Sequence, residues 1–427
     1  MSSETAPLLP LPPTLPFAIT VYDSQLSHPE RTDHSPPYFR DSPLRLIGFD
    51  LGVVLRHALQ IPNIFLPVSP RSDIGFTGVI SQVVFTVVSL GLTGLAVSSL
   101  VAGLPTPILA AVVLAVTMMV MSRLQGQVKM DHDMEDKYAD EAWLFVNGIA
   151  TSASGLQLIL TRLNVLFGRR VTGIHNKTFG IWWDLVECLL QRDFMWATAD
   201  VRVGYETICQ HIRNPAKKKV VLMAHSQGGI IMSAWVDQLL SDFPADALRK
   251  IEIYTFASAA NHFSVPSSPV YPGAEADAIT ADAEAASAGT GTATATAHTE
   301  STGTGSRQIG RRFVFGVVEH FVNTKDYVSL IGLIEFAPHP PATTVPGVLP
   351  AQAAEGRFAG RIFRREGHTG HLLVAHYLKE GDCILDYPAV RQYSQLTKYL
   401  GGRRAEVEDR YWKATVVTQP TATPPAV

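Results

Sequence analysis

The chain has 427 residues, of which 46% are hydrophobic and only 17% charged, with a formal net charge of -3 at pH 7. No basic run is interleaved with aromatics, which excludes nucleic acid as a partner, and a mean hydropathy of +0.13 points to apolar residues outside a water-soluble core. The three cysteines, Cys188, Cys209 and Cys383, have neither disulfide nor metal-ligand spacing, so a reducing compartment is expected and no metal or cofactor.

Residues 1–43 are rich in Pro, Ser and Thr and carry no secretory signal; a disordered N-terminal arm is expected. Residues 44–78 form a juxtamembrane segment whose apolar residues, mixed with Arg45, Arg56 and His57, suit either a helix along a membrane surface or a globular appendage. From Ile74 to Ser122 there is no Asp, Glu, Lys, Arg or His. A core helix of a soluble protein would carry a polar face, and none is present. The two runs, about 79–104 and 107–124, are parted by Gly103-Leu104-Pro105-Thr106-Pro107 and read as a transmembrane hairpin. A single span and a buried helical pair are the alternatives. Arg56, Arg71, Arg123 and Lys129 flank an uncharged connection, so the expectation is a multi-pass protein of two spans, both flanks cytosolic, at an endomembrane. Residues 129–137 read as a charged linker. Its Asp131, His132, Asp133 and Glu135 are near-consecutive and do not converge on one ion.

Residues 138–412 alternate strand-like and helix-like segments, which predicts an α/β domain with a mainly parallel sheet covered by helices on both faces. Residues 264–307, an Ala/Thr/Gly/Ser tract, are expected to be a disordered insertion, and 413–427 a disordered tail.

The organising motif is Val220-Val221-Leu222-Met223-Ala224-His225-Ser226-Gln227-Gly228-Gly229. An apolar strand runs into a turn with a serine at its tip and then into a helix. Small residues two before and two after the serine are what a nucleophile elbow needs, because larger ones would collide. The serine needs a base, and the base needs a carboxylate, arriving in the order Ser, acid, His. Asp326 lies four residues past Val322 and takes the acid position; Glu319 falls inside the strand. His371 is the base favoured by position, with His376 as alternative and His368 behind it. The oxyanion hole is expected to combine the Gln227 amide with one from Asn147-Gly148-Ile149-Ala150, with Ile149 or Ala150 as donor. His225, His175 and His320 are possible pocket residues, each with a plain structural role as the rival reading.

Ala-His-Ser-Gln-Gly-Gly, then Tyr254-Thr255-Phe256-Ala257-Ser258, then Asn323-Thr324-Lys325-Asp326-Tyr327-Val328, resembles the motif order of lipase-type α/β hydrolases. Asn147-Gly148-Ile149, Gly173-Ile174-His175-Asn176 and Gly370-His371-Leu372-Leu373 look similar to uncharacterised fungal membrane-associated hydrolases related to the DUF676 serine-esterase group. The resemblance covers roughly residues 141–380 and implies an α/β-hydrolase fold with Ser226, Asp326 and His371 as a triad. Ala257 stands where lipases have glycine. The function expected is a membrane-anchored serine hydrolase acting on a small-molecule or lipid ester or thioester, with the lipid bilayer as its partner. An acyltransferase, or a catalytically degenerate tethering protein, would share the same scaffold.

Overall fold

A computed structural model describes residues 18–26, 42–68, 73–74, 76–102, 106–131, 137–270, 310–337 and 354–406. The centre is a parallel sheet made by β3 (Glu141–Val146), β4 (Val171–Ile174), β5 (Lys219–His225), β6 (Ile251–Phe256), β9 (Val317–Lys325) and β11 (Gly360–Thr369). Their spatial order is β4-β3-β5-β6-β9-β11, every neighbouring pair parallel. The chain steps from β3 outward to β4, then crosses back to β5 on the other side of β3. The C-terminal ends of β3 and β5 therefore flank a topological switch point, where open α/β sheets leave a crevice.

Side chains of these strands alternate between two cores, as the period of two requires. Leu144, Val146, Leu222 and Ala224 pack with Val201 and Ile208 of α6 (Ala199–Arg213) and with Ile231, Trp235 and Leu239 of α7 (Gly228–Asp242). Trp143, Phe145, Val221 and Met223 pack with Leu156, Ile159, Leu160, Leu163 and Phe167 of α4 (Ala153–Phe167). The strands are buried on both faces, which is why they read as continuous apolar runs.

The sheet is wider than the 138–412 segment, and this corrects two expectations. Part of the arm expected to be disordered forms β1 (Ile19–Leu26), antiparallel to β11. Its Ile19, Val21 and Tyr22 are buried, so β1 covers an apolar edge that β11 would otherwise leave open. Part of the expected linker forms β2 (Lys129–Asp131), antiparallel to β4. β10 (Ala354–Gly356) adds to β1 at the far edge. At the start of the Ala/Thr/Gly/Ser tract, β7 (Ser267–Val270) pairs with β8 (Gly310–Phe313). The remainder of that tract (271–307), residues 1–17 and 27–41 of the arm, and the tail lie outside the described residues.

Before the sheet come α1 (Pro43–Arg56), α2 (Phe76–Val101) and α3 (Thr106–Leu124). α2 is long and apolar enough to cross a membrane: Gly78–Val101 has a mean hydropathy of 2.0 and is only 11% buried. Among the described residues it is the one helix that meets that length. The apolar stretch of α3, Ala111–Leu124, is shorter and packs along α2.

Both helices are clamped to the loop after β4. Gln82 Nε2 donates to Thr178 Oγ1 at 2.8 Å. Gln125, just beyond α3, donates to the Thr178 carbonyl at 2.6 Å and accepts the Thr178 amide at 2.9 Å. Lys177 Nζ donates to the Ser122 carbonyl at 2.8 Å. Ile181, the first residue of α5 (Ile181–Phe194), donates its amide to Thr86 Oγ1 at 3.1 Å.

Candidate active site

Ser226 sits between β5 and α7 with φ of 59°, a left-handed conformation that costs a non-glycine residue about 1–3 kcal/mol. The turn is held from three sides. Its amide donates to the Phe256 carbonyl at 3.1 Å, and its carbonyl accepts the amides of Gly229 at 2.9 Å and Ala259 at 3.1 Å. A Cβ on residue 228 would meet the Val146 carbonyl, and one on residue 148 would lie 2.7 Å from Ser226 Oγ and closer still to its Cβ. Glycine is therefore required on both sides of the serine. Ala257 also has positive φ, 48°; alanine takes the backbone shape that glycine would adopt there.

Asp326 and His371, on loops after β9 and β11, meet. His371 Nδ1 lies 3.1 Å from each oxygen of the Asp326 carboxylate, and Asp326 is fully buried. The carboxylate also accepts the Val328 amide at 3.0 Å, Ser329 Oγ at 3.1 Å and Tyr377 OH at 2.8 Å. Burial alone would raise this carboxyl, but the neighbouring His371 charge and these hydrogen bonds outweigh it and hold it below the usual range. His371 is tied to the serine turn through His225. The His225 Nε2 donates to the His371 carbonyl at 2.9 Å, and the two imidazoles stack with centroids 4.6 Å apart. Burial, then the His371 charge, lowers His225 to about 3, so it is neutral at neutral pH. Among the described residues no hydrogen bond joins Ser226 Oγ to His371; catalytic contacts of this kind commonly tighten only around a substrate.

The two expected oxyanion donors on the β3 loop part company. The Ala150 amide donates to Asp184 Oδ2 at 3.1 Å, so Ala150 is committed to a structural bond and leaves the candidate set. The Ile149 and Gln227 amides donate to no described residue. Gln227 starts the turn into α7, where amides without helical acceptors collect. A buried amide network positions both loops. Asn176 Nδ2 donates to Gln227 Oε1 at 2.5 Å, Gln227 Nε2 to Gln191 Oε1 at 3.0 Å, and the Asn176 amide to Asn147 Oδ1 at 2.9 Å.

The remaining histidines have structural work. His376 Nδ1 accepts the Leu372 amide at 3.0 Å, and burial, then the His368 and His371 charges, lowers it to about 4. The carboxylate partner belongs to His371, so the alternative base is displaced. His175 is fully buried and donates to the Thr151 carbonyl at 3.0 Å. His320 is not a pocket residue: it lies inside the sheet, bonded to Thr255 Oγ1 at 2.7 Å and stacked edge-on against Phe263 and Phe358. His368 pairs with Asp382 at 3.3 Å, away from Asp326.

The roof of the site comes from the segment before the sheet. Ile74, Val79 and Phe65 pack with Ile149, Ala150 and Leu372. Ile61, Ile64 and Phe65 pack with Ile230, Tyr327 and Val328. Asp73 accepts the Leu373 amide, and the Val374 amide at 2.9 Å; burial raises it to about 6 against those bonds. Ser226 and His371 are each 3% exposed beneath this cover. The roles of Tyr377, Asp73, Asp184 and the Asn176–Gln227–Gln191 chain are not legible in the sequence. Of these only Asn176 and Gln227 follow strand ends; Asp73 and Tyr377 are fixed by partners up to 300 positions away, which leave no local signal.

Compared with models of protein families, with curated proteins and with solved structures, the chain matches none.

Proposed function

We propose that this chain is a membrane-anchored serine hydrolase of the α/β-hydrolase type that cleaves an acyl ester or thioester of a lipid. The observation that carries the reading is a serine on a strained strand-to-helix turn, with an Asp326-held His371 linked to the same turn through His225. The strand order, with the serine after the strand beside the switch point, is the arrangement those enzymes use.

In the mechanism, His371 Nε2 takes the Ser226 proton as Oγ attacks the acyl carbon. Asp326 stays ionised and steadies the imidazolium, and the amides of Gln227 and Ile149 receive the oxyanion. The imidazolium then protonates the leaving alcohol or thiol, and water resolves the acyl-enzyme by the same steps. A lipid substrate is favoured because the roof over Ser226 is apolar and continuous with α2. The reading includes α2 as a cytosol-rooted span, with α3 completing a hairpin.

An active-site-directed fluorophosphonate tests this on the full chain in detergent micelles. Wild type labels and Ser226→Ala does not, and hydrolysis falls about 10⁴-fold or more in that variant. A folded wild type that stays unlabelled favours a non-catalytic tethering protein. Product analysis with water against alcohol acceptors separates hydrolase from acyltransferase.

A further inference from the structure

Helix α5 is built inside out. Its buried residues include Asp184, Gln191, Arg192 and Asp193, while Trp182, Leu185, Leu190 and Phe194 are exposed, as are Met195 and Trp196 just beyond. On α1, Asp50 is buried beside Val53, while Leu44, Leu51 and Leu55 are exposed. A buried ion pair joins the two helices: Arg192 Nε lies 2.6 Å from Asp50 Oδ2, and Arg192 Nη2 donates to Asp50 Oδ1 at 2.8 Å. Arg192 also donates to the carbonyls of Ala259 at 3.0 Å and Ile331 at 2.9 Å. Orientation is therefore set by polar groups turned toward the protein, which leaves the apolar side facing out. In water that orientation is unfavourable, because each large apolar side chain left exposed forgoes the gain of burial.

The depth of α5 along α2 identifies the medium on its outer side. α5 begins at the residue bonded to Thr86, and a Cβ on Gly180 would lie 2.8 Å from the Thr86 amide. From Thr86 to the end of α2 at Val101 the helix rises only about 22 Å, and from Ser122 back to Thr106 on α3 about 24 Å. A hydrocarbon core is about 30 Å thick. If α2 spans it, the apolar zone has to continue several ångströms past Thr86, to the level where α5 starts. Trp182 in the first turn of α5 and Trp196 just past its C-terminal end are both exposed, and indole is the side chain that settles at the lipid–water boundary.

We infer that the outer face of α5, continued by α1, is seated in the acyl–headgroup boundary of the same bilayer that α2 enters, so that the catalytic domain lies on the membrane and draws an acyl lipid sideways from the leaflet. This rests on the membrane reading above and adds a second, in-plane contact to it. α5 is tied to the residue that follows the serine, because Gln191 accepts from Gln227 Nε2 at 3.0 Å.

The test places an environment-sensitive fluorophore (NBD) at Leu185→Cys, Phe194→Cys, Leu95→Cys on α2 and Val165→Cys on α4, with Cys188, Cys209 and Cys383 changed to alanine. The full chain is reconstituted in phosphatidylcholine vesicles with and without lipid brominated near the headgroup end of its chains. Quenching at 185 and 194 is expected to reach about half or more of that at 95, with none at 165. Far-ultraviolet circular dichroism and size-exclusion elution in micelles, matched to wild type, check that each variant is folded. If the cysteine-free background fails that check, bromolipid quenching of tryptophan emission in the otherwise native chain replaces it, and Trp182→Phe with Trp196→Phe should remove most of the quenching.

Quenching at 95 without quenching at 185 and 194 overturns the α5 proposal and leaves the anchor standing. No quenching at 95 overturns both. A water-protected but unquenched 185 and 194 means that protein covers the face, a second copy or another part of the chain, and also overturns it.

Discussion

Helices α5 and α7 are neighbours of nearly equal length with opposite polarity. α7 turns Ile230, Ile231, Met232, Trp235, Val236 and Leu239 inward, as a helix in water must. α5 turns Asp184, Gln191, Arg192 and Asp193 inward and Trp182, Leu185, Leu190 and Phe194 outward. They meet where Gln191 of α5 accepts from Gln227, the residue before α7, at 3.0 Å, and where Cys188 packs in the cluster of Ile230. The contrast teaches that one side of this domain is organised by exclusion of water and the other by a polar seam that leaves apolar side chains outward.

The largest effect expected on that contrast comes from breaking the seam. Asp50→Asn leaves Arg192 buried without its full counter-charge and should cost about 3–5 kcal/mol. Denaturant midpoints in micelles measure it. A variant as stable as wild type would mean that α1 and α5 are held by their apolar contacts instead.

Next is the serine side. Gly148→Ala puts a methyl group against Ser226 Cβ and Oγ and should lower kcat by about 10²-fold, with a fall in melting temperature because the buried turn or the β3 loop has to shift. A variant of normal turnover would show that the β3 loop is free to move away from the turn.

The smallest effect is a slope. His225 is lowered to about 3 by burial and the neighbouring His371, against about 6.5 when unfolded. Between those values the unfolded chain binds the extra proton, so the stabilising contribution is complete above about pH 6.5 and is lost as pH falls toward 3. Wild type should lose up to about 1.4 kcal/mol per pH unit through that window from this one group. His225→Gln should flatten the profile by that amount, and an unchanged slope would place the acid sensitivity elsewhere.

Much of the sheet was legible because each of β3, β4, β5, β6 and β9 is a local apolar run bounded by turn residues. β1 was not, since Ile19-Thr20-Val21-Tyr22 sits in a Pro/Ser-rich stretch and becomes a strand only by pairing with β11 more than 300 positions later. Ser226 announced itself through its small neighbours. Asp326 and His371 could be proposed from their places after strands, but the choice between His371 and His376 depended on which imidazole the carboxylate meets. Between Ile149 and Ala150 the choice depended on Asp184, thirty-four positions from Ala150.

The primary structure by itself determined what is local: the apolar period of each strand, the small residues the serine turn demands, and the uncharged length of α2. Only the tertiary structure decided which side of α5 faces out, which amide near the serine stays free, and which histidine holds a carboxylate. The physical reason is that burial and pairing belong to contacts, and a contact has no address until the chain has closed on itself.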